Sequence, residues 1–279
     1  LKYDLHSHSQ YSDGKLSVAE LVQRAADKGV DVLALTDHDT LAGIAPAQAA
    51  ISELNLPLTL VPGVEISTRW HSFEIHIVGL QVDTENEDLN ELLGQQQQKR
   101  RERALKIGER LDKAGFENTH EQALALAEKA QVTRAHFARV LVAQGAAKTM
   151  QGVFKKYLSR GNTGYVPSTW CDMGTAIDAI HSAGGQAVLA HPGRYKMSNK
   201  WLRKLIGEFS GLGGDAMEVA QTQQAPCERQ FLGQLARENG LLGSQGSDFH
   251  FPLPYIELGK NLYLPKDCDG VWQRWQSQS

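Results

Sequence analysis

Six short motifs gather imidazole and carboxylate groups along this chain. They are Asp4-Leu5-His6-Ser7-His8, Thr36-Asp37-His38-Asp39, Gly63-Val64-Glu65, Glu74-Ile75-His76-Ile77, Ala190-His191-Pro192 and Ser247-Asp248-Phe249-His250. Neutral imidazole nitrogen and carboxylate oxygen together suit Mn²⁺, Fe²⁺ or Zn²⁺. His6 and His8 stand two apart, as do Asp248 and His250. On a strand, residues i and i+2 leave from the same face, so one ion can take both members of such a pair. Asp13 lies in a Ser-Asp-Gly turn able to fold back over the strand end, and the two oxygens of Glu65 can bridge two ions. A lone His at a strand end is more often a hydrogen-bonded structural residue. Six of the ten histidines placed this way beside carboxylates read instead as a multinuclear metal hydrolase. The other four lack that setting: His71 falls in a turn, His181 on a helix, and nothing near His120 or His136 completes a metal site.

Each motif follows, or lies within, an apolar run that reads as a buried strand, so the strands must deliver the ligands to one end of one sheet. Residues 30–35, 58–61, 73–80, 186–190, 216–219 and 241–244 are such runs. Helical patterns separate them at 18–28, 40–54, 175–183, 201–209 and 227–238. Ser17 with Glu20 predicts a capping box, and Gly29 and Gly184-Gly185 predict stops. By this reading His38, Glu65, His191 and His250 each end a strand and His76 lies inside one, while 70–72 form a turn. Strand–helix alternation favours a parallel sheet with helices outside. One stretch breaks the rhythm. From about residue 90 to 157 the pattern is wholly helical, and it includes the polar run Gln95 to Arg103. A charge run is usually a solvated helix face. The stretch predicts an inserted helical subdomain at 90–157 between barrel segments 1–89 and 158–279.

The 279 residues suit one large barrel or two smaller domains, and 41% hydrophobic residues supply a substantial core. A net charge of −3 and a pI near 6.4 give no global attraction to nucleic acid, so a polyanion would need a local basic patch. Cys171, Cys227 and Cys268 show no paired spacing, which fits a reducing, cytoplasmic setting. Neither a signal peptide nor a membrane span is expected. Trp272 and Trp275 near the C-terminus read as packing.

The motifs match a known family. The chain resembles the PHP (polymerase and histidinol phosphatase) superfamily over essentially its whole length, on His6-Ser7-His8 with Asp13, Thr36-Asp37-His38-Asp39, His191 and Asp248-Phe249-His250, with Glu65 and His76 at the remaining ligand positions. The resemblance implies a distorted (β/α)₇ barrel and three divalent ions, manganese being expected, with Fe²⁺ or Zn²⁺ as alternatives. It assigns His6, His8, Glu65 and Asp248 to one ion, Asp13, His38 and His250 to a second, and Glu65, His76 and His191 to a third. More narrowly, Phe154-Lys155-Lys156-Tyr157-Leu158, Gly164-Tyr165-Val166, His191-Pro192-Gly193-Arg194-Tyr195, Gly246-Ser247-Asp248-Phe249-His250 and the stretch from Thr133 to Arg139 are similar to bacterial 3′,5′-nucleoside bisphosphate phosphatases. That group also acts as a 5′→3′ exoribonuclease on RNA 5′ ends.

The chemistry so implied is attack on phosphorus by a hydroxide bridging two ions, with no protein nucleophile. The substrates would be nucleoside 3′,5′-bisphosphates and 5′-phosphorylated RNA ends, with no membrane or protein partner. A second phosphate needs its own site, and arginine binds phosphate bidentately. Arg194, Arg134 and His136 are the candidates, and Arg100 and Arg103, with Arg101, could line an RNA track. Two other readings compete: a phosphatase for a small phosphomonoester such as histidinol phosphate, and a metal-stabilised module without catalysis. The complete ligand set argues against the second, and the arginine-bearing insertion against the first.

Overall fold

The computed structural model describes residues 1–128 and 130–277. Its elements in order are β1 (Tyr3–Asp4), α1 (Val18–Asp27), β2 (Val32–Leu35), α2 (Ile44–Glu53), β3 (Thr59–Trp70), β4 (Phe73–Leu80), α3 (Glu87–Lys113), α4 (Thr119–Ala127), α5 (Arg134–Ala143), α6 (Met150–Val153), α7 (Met173–Ser182), β5 (Gln186–Leu189), α8 (Asn199–Gly211), β6 (Ala216–Ala220), α9 (Pro226–Glu238) and β7 (Leu242–Gln245). A π-turn at Phe154–Leu158 extends α6, and short 3₁₀ turns lie at Pro192–Arg194 and Val271–Ser277. The capping box that opens α1 is present: Glu20 donates its N–H to Ser17 Oγ (3.3 Å), and Ser17 donates its own to Glu20 Oε2 (2.8 Å).

The strands pair in sequence order, β1 to β7. The ring then returns on itself. Leu5 N–H donates to the Gln245 carbonyl (3.0 Å), Asp248 N–H to that of His6 (2.9 Å) and His8 N–H to that of Phe249 (2.9 Å). The result is a nearly closed seven-stranded barrel. The expected parallel sheet is corrected at one strand: β4 runs antiparallel to both β3 and β5. Trp70 pairs with Phe73, leaving two residues between the strands. A parallel crossover needs a dozen residues or more, so a link of two forces a hairpin. A second correction concerns Glu65. It lies in the middle of β3, which runs on to Trp70 because its far half pairs with β4. The second helix also starts later than its Ala-rich pattern suggests, at Ile44. Before it the chain turns through a left-handed Asp39 at φ 51°.

The barrel interior separates apolar from polar along its axis. Tyr3, Leu5, Val32, Ala34, Val61, Val78, Leu80, Val188, Ala190 and Ala216 share one cluster with Val271. Trp272 closes its floor by stacking on Tyr3 at 4.4 Å between ring centroids, as the packing role predicted for this tail requires. Even steps along a strand keep a residue on the same face. Two to four residues from these inward positions come His38, Glu65, His76 and Glu218. The ligand-bearing end is therefore built on the same inward face as the core beneath it.

No strand interrupts residues 87–158 among the described residues. Helix α3 starts at Glu87, before the expected boundary, and spans about 40 Å at 1.5 Å per residue. Its first turns, through Leu89, Leu92 and Leu93, join the barrel's outer core. Its later turns, through Ala104, Ile107 and Leu111, join a separate cluster with Ala123, Phe137, Leu141, Val153 and Leu158. No helix among the described residues is long and apolar enough to cross a membrane.

Candidate metal centre

Glu65 is the hub of the barrel mouth. Its Oε2 lies 3.2 Å from His6 Nε2, 3.2 Å from His8 Nε2 and 3.1 Å from His38 Nδ1. Its Oε1 lies 2.8 Å from His76 Nδ1 and 3.0 Å from His191 Nε2. Asp248 Oδ1 completes a first group, 3.4 Å from His6 Nε2 and 3.2 Å from His8 Nε2. Asp13 gathers a second, with Oδ1 3.2 Å from His250 Nε2 and Oδ2 3.7 Å from His38 Nε2. All nine residues singled out by the motifs thus converge on one region. Among the described residues, three groupings are compact enough to surround an ion: His6, His8, Glu65 and Asp248; His8, Asp13, His38 and His250; and His38, Glu65 and His76.

The donor chemistry fits cations. His6 Nδ1 meets Glu218 Oε1 at 2.5 Å, a carboxylate that can hold the proton on Nδ1 and so present Nε2 to an ion. His6 Nε2 faces His8 Nε2 at 3.1 Å and two carboxylate oxygens, a donor set suited to a cation. His38 Nδ1 and Glu65 Oε2 are buried without a hydrogen-bond partner, a costly state unless an ion takes them up. Burial pushes His38 down to about 3, against the pull of Glu65 and Asp13, so its imidazole is a neutral donor at neutral pH. Burial alone would raise the Glu65 carboxyl. In their protonated form the His38, His6 and His76 rings outweigh it and hold the group well below the usual range. His191 and Asp248 adopt left-handed backbone, at φ 32° and 50°. Backbone strain in non-glycine residues gathers where surrounding structure fixes a functional group. Gly246 passes so close to His6 that an added Cβ would lie 2.3 Å from the His6 Cβ.

Three further residues hold this set: Glu218, which no motif marks, and Asp37 and Tyr195, which lie inside the motifs without an expected role. Glu218 uses both oxygens: Oε1 takes His6, and Oε2 accepts the His191 N–H (2.7 Å) and the Gln221 amide (3.0 Å). Asp37 anchors the loop before Asp13 by accepting the Ser9 N–H (2.8 Å), Ser9 Oγ (2.6 Å) and Ser12 Oγ (2.6 Å). The Tyr195 hydroxyl accepts the His76 N–H at 2.9 Å.

The arginines distribute unevenly. Arg194 pairs through Nη1 with Asp248 Oδ2, leaving Oδ1 for the histidines, and its side chain is 41% exposed at the mouth. Arg134 pairs with Glu74 Oε2 at 2.7 Å and remains one-third exposed. His136 is buried, its Nδ1 taken by the Thr133 N–H (3.0 Å), and burial pushes it down to about 4. The expected solvated face of the Gln–Arg run is corrected for Gln96, Arg100 and Arg103, which are all buried. Gln96 donates to the Ser67 carbonyl (2.6 Å) and accepts the Cys171 N–H (3.0 Å). Arg100 pairs with Asp39 and donates to Ser67 Oγ (2.8 Å). Arg103 binds Glu74 Oε1 (2.6 Å) and the Val166 carbonyl (3.0 Å). Both guanidinium groups lie over Trp170, at 4.9 and 5.4 Å from its ring centroid. A cavity of about 130 Å³ separates these helices from the barrel mouth, with His38, His76, Arg100, Arg103, Arg134 and Trp170 in its walls.

A barrel whose mouth holds clustered imidazoles and carboxylates around a central glutamate defines a class of proteins with residue clusters that could hold metal ions. The PHP domain family matches residues 4–165, and the chain belongs to that family. It is 56% identical over 274 residues to the 5′-3′ exoribonuclease Rnm of Escherichia coli (strain K12), covering 98% of this chain and 94% of that protein. It is 38% identical over 277 residues to a 3′,5′-nucleoside bisphosphate phosphatase of Chromobacterium violaceum, covering 99% and 96%. A solved structure from Chromobacterium violaceum, described as an amidohydrolase with bound sulfate and no metal, superposes with a TM-score of 0.92 at 38% identity, covering 100% of this chain and 97% of that one.

Proposed function

We propose that this protein is a metal-dependent phosphoesterase with two related reactions. It removes the 3′-phosphate from nucleoside 3′,5′-bisphosphates and releases nucleotides 5′→3′ from 5′-phosphorylated RNA. The observation that carries the reading is Glu65, a buried carboxylate with an orphaned oxygen placed among five imidazoles beside an arginine-walled cavity. The names of the two curated relatives supply the substrates.

Three ions would be held as follows: His6, His8, Glu65 and Asp248 for the first, Asp13, His38 and His250 for the second, and Glu65, His76 and His191 for the third. Manganese is the ion proposed. Bound metals would supply activation of a water and offset the charge that gathers on the phosphoryl oxygens. The chain's own part is to hold and orient. Glu65 links two of the ligand groups, and Glu218 fixes the tautomer of His6. Arg194 occupies one oxygen of Asp248 while its exposed N–H groups face the mouth. Arg134 presents a second partly exposed guanidinium from the helical region, which we take as a cap formed by residues 90–157 over a barrel of 1–89 and 158–279. Together these arginines would receive the 5′-phosphate. An RNA 5′ nucleotide and a free bisphosphate both carry a 5′-phosphate followed by a 3′-phosphoryl group, so one site can serve both. A cytoplasmic location is proposed because Cys171, Cys227 and Cys268 are all free thiols.

The test uses manganese-reconstituted protein, with His38→Ala as control. Phosphate release from 3′-phosphoadenosine 5′-phosphate and nucleotide release from a 5′-phosphorylated RNA oligomer are followed, with histidinol phosphate alongside. Both reactions are expected, and both are expected to vanish in the control. Turnover of histidinol phosphate alone would overturn the substrate assignment, and turnover of none would favour a binding module.

A further inference from the structure

We infer that a groove beside the metal centre, lined by Arg69, Phe73, Arg160 and Tyr165, holds the RNA segment 3′ of the nucleotide being cleaved. The inference rests on the reading above and extends it from the reacting nucleotide to the body of the polymer.

Glu74 fixes where the groove starts. It lines both the 130 Å³ cavity at the metal ligands and a neighbouring groove of about 230 Å³. It stands two residues before His76 on β4, so the cavity and the groove share a wall two residues from a ligand. The groove is smaller than the roughly 300 Å³ at which sites for whole small molecules begin. That size suits one unit of a chain that continues past it better than a free ligand.

Its chemistry suits single-stranded nucleic acid. Such sites combine cations that follow the phosphates with aromatic faces on which bases stack. Arg160 is exposed and makes no ion pair or side-chain hydrogen bond among the described residues. Arg69 is exposed, and its Nε is engaged only with the His71 carbonyl at 3.1 Å. Among the described residues neither has a carboxylate partner. Phe73 and Tyr165 are partly exposed and supply the rings. Glu74, the one acid in the lining, is neutralised by Arg103 (2.6 Å) and Arg134 (2.7 Å). It therefore does not repel a phosphate. Arg101, by contrast, stays exposed but lines a different hollow, with Leu105 and His120. Burial of Arg100 and Arg103 removes the track that the Gln–Arg run suggested. The groove past Glu74, with its two unpaired arginines, takes its place.

The experiment compares wild type, Arg160→Glu with Tyr165→Ala, and Arg101→Glu as a control for lost positive charge. Two readouts are taken. One is anisotropy of a labelled, 5′-phosphorylated ten-nucleotide oligoadenylate on metal-free protein. The other is the ratio of kcat/KM on that oligomer to kcat/KM on 3′-phosphoadenosine 5′-phosphate. The double variant is expected to bind the oligomer at least about fivefold more weakly, the scale of losing one base-stacking contact. The kcat/KM ratio should fall by a similar factor, with Arg101→Glu near wild type. Equal loss on both substrates, or unchanged oligomer affinity, would overturn the groove. An equal effect of Arg101→Glu would do the same, since it would make the binding diffuse. If wild type turns over neither substrate, the phosphoesterase reading fails on its own terms, and the anisotropy comparison still decides whether the groove binds RNA.

Discussion

Glu218 illustrates what single residues contribute and what the sequence hides about them. The nine ligand candidates were legible because paired spacing and strand ends mark them: His6 with His8, Asp248 with His250, Glu65 after an apolar run. Glu218 sits in the apolar run Ala216–Ala220 with no His beside it and none of the paired spacings that mark the ligands, and only closure of the barrel brings it to His6, 212 residues away in sequence. Trp170 was hidden for the same reason, since nothing near it in sequence suggests the two guanidinium groups it supports. Partners that orient a ligand typically matter 10- to 100-fold in metal affinity. Glu218→Ala removes the acceptor for His6 Nδ1 and the acceptor for the His191 N–H together. It should weaken manganese binding by about that range in a chelator-competition titration. Glu218→Gln keeps one acceptor oxygen and should fall between Ala and wild type. Equal affinity in all three proteins would show that Glu218 is only a buried polar residue.

At the scale of elements, the helices and strands were mostly readable from periodicity, while strand direction was not. Alternation of apolar runs looks the same for parallel and antiparallel neighbours. The discriminating signal was the length of the link, two residues between Trp70 and Phe73, and its cost is that Glu65 moves from strand end to mid-strand. The Gln–Arg run misled for another reason: polar helices pack when partners await them, here Ser67, Asp39, Glu74 and Trp170. Helix α5 shows a titratable element end. The Thr133 N–H donates to His136 Nδ1 at 3.0 Å, and Ala135 donates to Thr133 Oγ1 at 3.2 Å. Protonating His136 removes that acceptor. Burial pushes this ring down to about 4, from an unfolded value near 6.5. Between those values the unfolded chain binds more protons, so the contribution is fully present above about pH 6.5 and is lost as pH falls toward 4. Its full size is on the order of 3 kcal/mol. Gln at the same helix position can accept the Thr133 N–H without titrating. His136→Gln should therefore lose less stability than wild type in urea melts taken at pH 7, 6 and 5. Parallel losses in the two proteins would remove His136 from the acid response.

On the scale of the whole molecule the barrel has two ends with different jobs, and the two should be separable by thermodynamics. The mouth gathers imidazole and carboxylate donors that could hold metal ions. A ligand that binds only the folded state stabilises it by about 2.7 kcal/mol per site at a hundredfold excess over Kd. The floor is plugged by Trp272 stacked on Tyr3, with the Leu5, Val32, Val78 and Val188 cluster between floor and mouth. Mutations at distant sites without shared partners add. Trp272→Ala should cost about 2–3 kcal/mol, below the usual range for a fully buried tryptophan because this one is partly exposed. Its drop in Tm should be the same in chelator as in manganese. His250→Ala, at the 26% exposed rim of the centre, should change Tm little in chelator and remove part of the rise that manganese brings. Scanning calorimetry of the three proteins in both buffers reads all four differences. If Trp272→Ala also erased the manganese-linked rise, floor and mouth would be one cooperative unit. The ligands would then owe their geometry to the packing beneath them rather than to the local bonds of Glu218, Asp37 and Tyr195.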